Sequence, residues 1–329
     1  MSGQFARFNL IGESEPFLQA VGLIGKIAAS DATALILGET GTGKELVARA
    51  IHYLSARRDY PFIPVNCGAM AESLVENELF GHDRGAFTDA RESRPGLVAQ
   101  AEGGTLFLDE VDALSPKAQV SLLRFLQDLR YRPVGSRSEA RADVRVLAAT
   151  NGDLEREVKL GHFRQDLLYR LDVLALALPP LRERGDDVQL LADHFLRIYN
   201  AQDGTTTRRL SAAGRAWMRR YAWPGNVREL ENQLRRACLM ASGPEIDLPA
   251  RCAAGPGGSE EESASAPDDF NAAKARAIEA FERGFLLRML AETGGNVSLA
   301  ARRCGKERRA FGKLLKKHGI DKSAFLSPS

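Results

Sequence analysis

Short apolar runs alternate with longer amphipathic stretches through the first half of the chain. The runs TALILG, TLFLDE and VRVLAAT are typical of buried strands, and residues 45–54 and 115–129 between them repeat apolar side chains with the period of a helix. Strands that are apolar on both faces and separated by helices favour a parallel sheet covered on both sides. We therefore predict an α/β subdomain over residues 1–178.

The pattern changes after the last of these strands. Between residues 182 and 248 the strand signal disappears, while residues 188–199 and 227–240 have helical periodicity. We predict a small helical subdomain with bounds at residues 179–250.

A polar segment separates this region from the end of the chain. Its sequence, AAGPGGSEEESASAPDD, contains no large apolar side chain, which is typical of a flexible linker and places one at residues 251–270. Helical periodicity then returns, so residues 271–329 are predicted to form a small all-helical domain. This periodicity is carried by apolar residues spaced four apart, namely Phe281, Phe285 and Met289.

Composition adds a constraint on size and on charge. The chain has 329 residues and is 44% hydrophobic, which is enough for two or three packed domains. Its 45 basic and 43 acidic side chains nearly cancel, but residues 271–329 contain 13 basic and 5 acidic ones. The positive charge is therefore concentrated in the last domain.

Cysteine spacing and hydropathy indicate a cytoplasmic protein. Cys67, Cys238, Cys252 and Cys304 are far apart and form no CxxC pair, which argues against a disulfide framework or a structural zinc site. The N-terminus has no basic segment followed by an apolar run, and no apolar run approaches about 18 residues. We expect neither export nor membrane insertion.

The strongest chemical signal is the glycine-rich stretch LILGETGTGKE, which lies between a strand and a helix. Its glycines allow backbone N–H groups to surround a β-phosphate at a helix N-terminus, and its lysine reaches the outer phosphates. The generic motif ends in Ser or Thr, whose hydroxyl binds Mg²⁺, so the metal here must depend on another acid or on water. The predicted nucleotide-binding residues of this loop are Gly38, Glu39, Thr40, Gly41, Thr42, Gly43, Lys44 and Glu45.

A pair of acids follows another apolar strand, in GGTLFLDEVD. Asp109 is placed at the strand end to bind Mg²⁺, and Glu110 is placed to polarise the water that attacks a γ-phosphate. Asn66, Thr150 and Asn151 also follow apolar strands, where they can hold this glutamate or sense the γ-phosphate. Any of these polar residues alone would be interpreted as a cap, but together with the phosphate loop they favour a catalytic site.

Eight segments in one order make a family resemblance specific: GETGTGKE, VNCGAM, GAFTDA, GGTLFLDEVD, LLRFLQDLRYRPVGS, FRQDLLYRLDV, LPPLRER and WPGNVREL. The set resembles the AAA+ domain of bacterial enhancer-binding proteins, the ATPases that activate RNA polymerase carrying sigma-54. The similarity covers residues 8–248 almost without gaps. It implies a P-loop ATPase with a parallel sheet and a helical lid, ATP and Mg²⁺ as cofactors, and assembly into a homo-oligomeric ring, a hexamer. Glutamate at the end of the phosphate loop is usual in that family, which accounts for Glu45.

The resemblance implies roles for the residues at the centre of the site. Lys44 binds phosphates, Asp109 binds Mg²⁺ and Glu110 orients the attacking water. Asn66 is the switch that holds or releases this glutamate.

Other matching residues lie at the edges of the site. Arg164 and Arg170 in FRQDLLYR match the arginine fingers that complete the nucleotide site of a neighbouring subunit, although each alone would be interpreted as part of a surface ion pair. Arg228 in WPGNVREL matches the lid residue that reads the γ-phosphate. Ile11 and Gly12 match the segment beside the adenine.

The segment GHDRGAFTDARESRPG places an aromatic side chain in an otherwise solvated loop. Alone, Phe87 would be interpreted as a buried turn residue. The family has GAFTGA here, and the match at five of six positions implies that Gly85, Phe87 and Thr88 form the sigma-54 contact. Asp89 replaces the second glycine; aspartate tolerates the left-handed region better than most residues, but its charge lies beside the contact aromatic.

The basic last domain contains a helix-turn-helix pattern. Residues 298–303 and 307–318 are predicted helices, with a tight turn at Cys304-Gly305. The pattern resembles the Fis-type domains that end many enhancer-binding proteins, which implies binding to double-stranded enhancer DNA; a solvated basic helix is the alternative. The predicted DNA-binding residues are Lys306, Arg308, Arg309, Lys313 and Lys316, with Lys317 nearby.

Two functions follow from these patterns. The first is an ATP-driven activator that binds upstream DNA and remodels the sigma-54 polymerase closed complex to open promoters. The alternative is a DNA-binding regulator independent of sigma-54, whose AAA+ domain only oligomerises or senses nucleotide, with Asp89 as its mark; the intact acids and arginines favour the first. Because the resemblance begins almost at Met1, we expect control by a regulatory protein in trans, by abundance, or by a domain upstream of this sequence.

Overall fold

A computed structural model gives the positions of most residues. It describes residues 5, 7–70, 74–86, 90, 92–203, 207–241, 243–248, 282, 286, 289, 290, 293, 296–304 and 308–318. The chain divides into two units, Met1–Arg251 and Cys252–Ser329. The predicted linker at residues 251–270 lies outside the described part.

A five-stranded sheet forms the centre of the first unit. Its strands are β1 (Ala34–Leu37), β2 (Phe62–Asn66), β3 (Thr105–Asp109), β4 (Arg145–Thr150) and β5 (Leu174–Ala177). They are arranged in the order β2-β3-β4-β1-β5, and every neighbouring pair is parallel. The predicted parallel sheet is therefore confirmed, and the carboxyl ends of all five strands meet at one edge.

Helices cover both faces of this sheet. They are α1 (Glu15–Ala28), α2 (Lys44–Tyr53), α3 (Val75–Phe80), α4 (Leu97–Gln100), α5 (Pro116–Asp128), α6 (Leu154–Lys159) and α7 (Gln165–Leu171). Ile24 of α1 and Ile51 of α2 belong to the core on one face, and Leu122 of α5 and Leu167 of α7 belong to the core on the other. The amphipathic pattern predicted α2 and α5 to within one residue at each end.

Two short antiparallel hairpins extend from the α/β core and contact each other. Their strands are Gly81–His82 with Arg94–Pro95, and Arg130–Tyr131 with Ala140–Arg141. The Val134 N–H donates to the Gly81 carbonyl at 2.8 Å, and the Asp83 N–H donates to the Val134 carbonyl at 3.0 Å. A Cβ atom on Gly135 would lie 2.7 Å from the Cβ of Ala86, so only glycine permits this close approach.

The lid follows β5 and is mainly helical, as predicted. Its helices are α8 (Asp187–Asp203), α9 (Ala212–Arg220) and α10 (Asn226–Met240), which pack around buried Trp223 and Leu230. One difference is a pair of two-residue parallel strands, Arg209–Leu210 and Glu245–Ile246. Leu210 and Ile246 anchor them in the lid core, and segments this short give no periodic signal in the sequence.

The second unit contains two consecutive helices that contact each other. They are α11 (Val297–Arg303) and α12 (Arg308–Lys317), each within one residue of its predicted start. Asn296 caps α11 by accepting the Leu299 N–H at 3.2 Å. Phe311 and Leu315 of α12 are buried together with Leu286, Leu290 and Ala300. Across the described residues of both units, no helix combines the length and the apolar character needed to cross a bilayer.

Candidate nucleotide-binding site

The phosphate loop connects β1 to α2, as the sequence predicts. Gly41 and Gly43 have φ of +80° and +102°, in the left-handed region that glycine adopts readily. The Thr42 hydroxyl donates to the Glu39 carbonyl at 2.8 Å and tightens the turn. The loop therefore presents backbone N–H groups at the start of α2, where the helix dipole favours a phosphate.

Lys44 is the first residue of α2 and is buried. Its Nζ donates to the carbonyls of Gly38 at 2.7 Å and Glu39 at 3.2 Å, so the ammonium lies beneath the loop. Burial lowers the pKa of Lys44, and the carboxylates of Asp109 and Glu110 oppose that shift. The ammonium group is thus held between the loop and the two predicted acids.

Asp109 ends β3 beside the phosphate loop. Its Oδ1 accepts the Glu110 N–H at 3.0 Å. Burial raises the pKa of Asp109, and the nearby Lys44 ammonium counteracts this effect. Magnesium is commonly held by one or two carboxylates together with substrate phosphates, so a single aspartate at this place fits the ion. Glu45 also borders the cavity, but its carboxylate accepts from Arg49 at 2.7 Å.

Glu110 has a left-handed backbone, with φ of +56° and ψ of +48°. Its carboxylate lies over Gly68, because a Cβ atom there would be 2.6 Å from Oε2 of Glu110. Asn66 is the β2 partner of Asp109, and its Oδ1 accepts the Ala69 N–H at 3.0 Å. Asn66 therefore caps the short turn Cys67–Ala69 and lies beside the glutamate at the same time; its role as a switch stays a prediction.

The last residue of β4 and the residue that follows it also contribute to the site. The buried Thr150 hydroxyl donates to the carboxylate of Asp112, and Asn151 donates through Nδ2 to Thr40 of the phosphate loop at 3.1 Å. Asn151 is thus in direct contact with the loop. Thr150, the residue before it, contacts Asp112 instead, a nearby acid that the sequence patterns did not single out.

The start of α10 docks on the other side of the phosphate loop. The backbone N–H groups of Val227 and Arg228 donate to the Gly41 carbonyl at 3.0 and 3.4 Å. A Cβ atom on Gly41 would lie 2.3 Å from the Gly225 carbonyl oxygen, so glycine is required for this approach. Arg228 is therefore held at the mouth of the loop, and its role in reading the γ-phosphate stays a prediction.

The phosphate loop, the two acids and the start of α10 border a cavity of about 310 Å³. At one end it is bordered by the phosphate loop, Asp109 and Glu110, and at the other by the apolar side chains of Leu10, Phe17 and Leu191. A polar end that suits phosphates and an apolar end that suits a base are what a nucleotide requires. The predicted residues that line this cavity are Ile11, Thr40, Gly41, Thr42, Gly43, Lys44, Glu45, Asp109, Glu110 and Arg228.

Gly12 lies behind the apolar wall. A Cβ atom on Gly12 would be 2.4 Å from the Phe17 ring and 2.6 Å from both Arg184 and Asp187. Arg184 ends the family segment LPPLRER, but the sequence patterns gave a role to Gly12 and none to Arg184 or Asp187. An acid three residues after an arginine is common on protein surfaces and does not by itself indicate this pair.

The two predicted arginine fingers lie on an exposed part of the chain and do not line the cavity. Arg164 precedes α7 and forms two hydrogen bonds with Asp166, at 2.7 and 3.0 Å. This contact raises the pKa of Arg164 and lowers the pKa of Asp166. Arg170 is exposed near the end of the same helix.

The structure describes only part of the two predicted contact surfaces. Gly85 is exposed with φ of +82°, and its N–H donates to the Ala90 carbonyl at 2.8 Å across the base of the loop. Phe87 and Thr88 lie outside the described residues, and so does Lys306. The remaining predicted DNA-binding side chains are exposed on α12, namely Arg308, Arg309, Lys313 and Lys316.

Comparisons with known proteins agree with this site. The family described as Sigma-54 interaction domain matches residues 10–177, and the family described as AAA+ ATPase lid domain matches residues 182–264. The transcriptional regulatory protein ZraR of Salmonella typhi is 44% identical over 94% of this chain and 69% of its own length. The response regulator protein PilR of Pseudomonas aeruginosa is 46% identical over 95% and 70% of the two chains.

Solved structures give the same result. NtrX from Brucella abortus in complex with ADP has a TM-score of 0.69 and 31% identity, over 94% of this chain and 69% of its own. The same protein in complex with ATP has a TM-score of 0.68 at the same identity and coverage. This chain therefore belongs to the AAA+ ATPases with a sigma-54 interaction domain, the family of sigma-54-dependent transcriptional regulators.

Proposed function

We propose that this chain hydrolyses ATP to open promoters that RNA polymerase carrying sigma-54 holds closed. The observation that carries the proposal is the cavity in which the phosphate loop, Asp109 and Glu110 face an apolar base pocket. Membership of the sigma-54 interaction-domain family supplies the target.

The residues divide the chemistry between them. The loop N–H groups and Lys44 bind the β- and γ-phosphates, and Asp109 holds Mg²⁺, which neutralises phosphate charge. Glu110 orients a water whose oxygen bonds to the γ-phosphorus while the bond to the ADP oxygen breaks. The water gives up a proton as phosphate forms, and the Glu110 carboxylate is the group placed to receive it.

Hydrolysis is completed by a second copy of the chain. Arg164 and Arg170 are exposed and away from their own cavity, so they reach a nucleotide only in a neighbouring subunit. The large apolar side chains of Leu160, Tyr169 and Val173 are 55%, 67% and 56% exposed beside them, which favours burial in a subunit interface. Repetition of such a head-to-tail contact closes a ring, which we take to be a hexamer.

Consecutive segments of the chain link the cavity to the predicted sigma-54 contact. Asn66 borders the glutamate, the turn Cys67–Ala69 follows it, and α3 leads from there to the hairpin whose loop contains Phe87. A shift at Glu110 during hydrolysis moves this hairpin, and Phe87 with Thr88 then pushes on sigma-54. The basic face of α12 binds enhancer DNA and brings the ring to its promoter in the cytoplasm.

Promoter opening by purified components tests this proposal. The full chain, an enhancer–promoter DNA and sigma-54 polymerase are mixed with ATP, and unpaired promoter bases are detected with permanganate. We expect opening with ATP, none with a non-hydrolysable analogue, and none when sigma-70 polymerase and its promoter replace the sigma-54 pair. Opening that proceeds without hydrolysis, or only with sigma-70, contradicts the proposal.

A further inference from the structure

A buried ion pair in the lid holds the segment at the base end of the cavity. Asp187 is 3% exposed and accepts four hydrogen bonds. The N–H groups of Glu13 and Ser14 donate to Oδ1 at 2.7 and 3.0 Å, and the Ser14 hydroxyl and Arg184 Nε donate to Oδ2 at 2.7 and 3.0 Å. Burial raises the pKa of Asp187, but these hydrogen bonds outweigh it and leave the pKa below its usual value.

Arg184 extends the same network to the cavity wall. Its Nη2 donates to the Ile11 carbonyl at 2.5 Å, and its guanidinium lies 3.9 Å from the centre of the Phe17 ring. Arg184, Ile11 and Phe17 all line the apolar end of the cavity. Arg184 is only 2% exposed, so its contacts are made away from water, where they are strongest.

The segment that these residues hold has no regular structure of its own. Residues 10–13 belong to neither a helix nor a strand, and they precede α1. The hydrogen bonds from Arg184 and to Asp187 therefore take the place of secondary structure there. Gly12 permits this arrangement, since any Cβ atom would collide with the ion pair.

We propose that Arg184 and Asp187 are positioning residues for the nucleotide base: they fix the Ile11–Gly12 backbone and the Phe17 ring, and so determine how strongly the chain prefers a nucleotide to a bare triphosphate. The inference rests on ATP as the ligand of the cavity. It assigns base recognition to the lid, although the segment in contact with the base belongs to the α/β subdomain.

A neighbouring arginine provides a matched control. Arg182 lies in the same short turn, Leu181–Glu183, but points to the phosphate end, where it forms two hydrogen bonds with Glu39 at 2.6 and 2.8 Å. This pair is exposed, with 44% and 40% of the two side chains accessible. Replacing Arg184 therefore removes contacts at the apolar wall of the cavity, whereas replacing Arg182 removes a contact to the phosphate loop.

The test compares ATP with inorganic tripolyphosphate in the full chain. For Arg184→Gln we expect the KM for ATP to rise by roughly tenfold or more, with kcat nearly unchanged, because loss of a positioning contact weakens binding of the base. The inhibition constant of tripolyphosphate, which has no base, should stay within about twofold of wild type. Arg182→Gln should leave the ratio of these two constants as it is in wild type.

A second variant distinguishes the loss of base positioning from a folding defect. Removing one partner of a buried pair leaves an unpaired charge, whereas Arg184→Met combined with Asp187→Leu removes both. The double variant should fold, as judged by its melting temperature, and should show the same selective loss of ATP affinity. Equal weakening of ATP and tripolyphosphate, or unchanged ATP affinity in a folded variant, would overturn the inference. These measurements use no polymerase, so their outcome is independent of whether the chain opens sigma-54 promoters.

Discussion

The backbone of Glu110 illustrates what a single residue contributes to this site. A non-glycine residue in the left-handed region costs about 1–3 kcal/mol, and such strain persists where surrounding contacts fix it. Here the Asp109 carboxylate accepts the Glu110 N–H, and the Ala113 N–H donates to the Glu110 carbonyl at 3.0 Å. These bonds turn the glutamate side chain back over Gly68 and toward the cavity.

Replacement of this side chain tests its assigned role. Glu110→Gln keeps the size of the side chain but removes the base that orients water, so kcat for ATP hydrolysis should fall by roughly 10²-fold to 10⁴-fold. The KM for ATP should stay within about threefold, because Lys44 and the loop still bind the phosphates. Steady-state phosphate release measures both constants. Glu245→Gln, at an exposed carboxylate in the lid, is the control, and a Glu110→Gln chain with wild-type turnover would remove the assignment.

The sequence predicted the phosphate loop and the acids, but not the base end of the cavity. Lys44 and Glu110 follow strands of the parallel sheet and Asp109 ends one, and the carboxyl ends of parallel strands meet at one edge of a sheet. Arg184 instead contacts Ile11 across 173 residues, and Asp187 contacts Glu13 across 174. Such contacts depend on how the lid packs, which no local periodicity encodes.

At the scale of elements, the junction between α10 and the phosphate loop depends on Asn226. This residue is fully buried with φ of +52°. Its Oδ1 accepts the Leu181 N–H at 2.8 Å, while Nδ2 donates to the Thr40 carbonyl at 3.0 Å and to Glu39 at 3.1 Å. One amide side chain therefore links the lid, the turn before α8 and the loop that binds phosphates.

Two substitutions distinguish the contribution of the Asn226 hydrogen bonds to stability from that of its backbone conformation. Asn226→Gly keeps the left-handed conformation and loses the side-chain bonds, so the free energy of unfolding should fall by about 1–3 kcal/mol. Asn226→Ala loses the same bonds and adds a Cβ atom at positive φ, so it should be less stable than the glycine variant by about 1 kcal/mol. Urea unfolding measures both, and an alanine variant as stable as the glycine variant would refute the backbone argument.

Helix α12 has an apolar side and a basic side. Phe311 and Leu315 are buried, whereas Arg309 and Lys313 are exposed. Buried and exposed positions along α12 follow the period of a helix.

Substitutions on the two sides of α12 should therefore have different effects. Arg309→Ala and Lys313→Ala should weaken DNA binding and each lower the slope of affinity against salt concentration by about one, because each removes a phosphate contact. Neither should alter the melting of the domain. Phe311→Ala should instead destabilise it by about 3–5 kcal/mol. Fluorescence anisotropy at several salt concentrations measures binding, and unchanged affinity in both basic variants would exclude this face.

At the scale of the whole molecule, the proposed function makes catalysis depend on contact between copies. The cavity of one chain contains the acids, while Arg164 and Arg170 lie elsewhere on its surface. In a head-to-tail ring, each site therefore combines Glu110 of one subunit with arginines of the next.

Mixing two inactive variants tests whether Glu110 of one subunit acts together with the arginines of the next. Glu110→Gln subunits retain the arginines, and Arg164→Ala subunits retain the glutamate. In a mixed ring roughly a quarter of the boundaries combine both intact groups, so ATP hydrolysis should reappear. Each variant alone, at the same total concentration, is the control. A mixture no more active than its components would show that Arg164 does not act across the boundary.

The central claim is that ATP hydrolysis moves the Phe87 loop against sigma-54, and the most direct measurement is promoter opening set beside ATP turnover in one reaction. For Phe87→Ala, we predict turnover within about twofold of wild type, since Phe87 has no assigned role in binding or hydrolysing ATP, and no detectable opening. Asp89→Gly, in the same loop, should keep or improve both activities. Promoter opening by Phe87→Ala at the wild-type level would contradict the account.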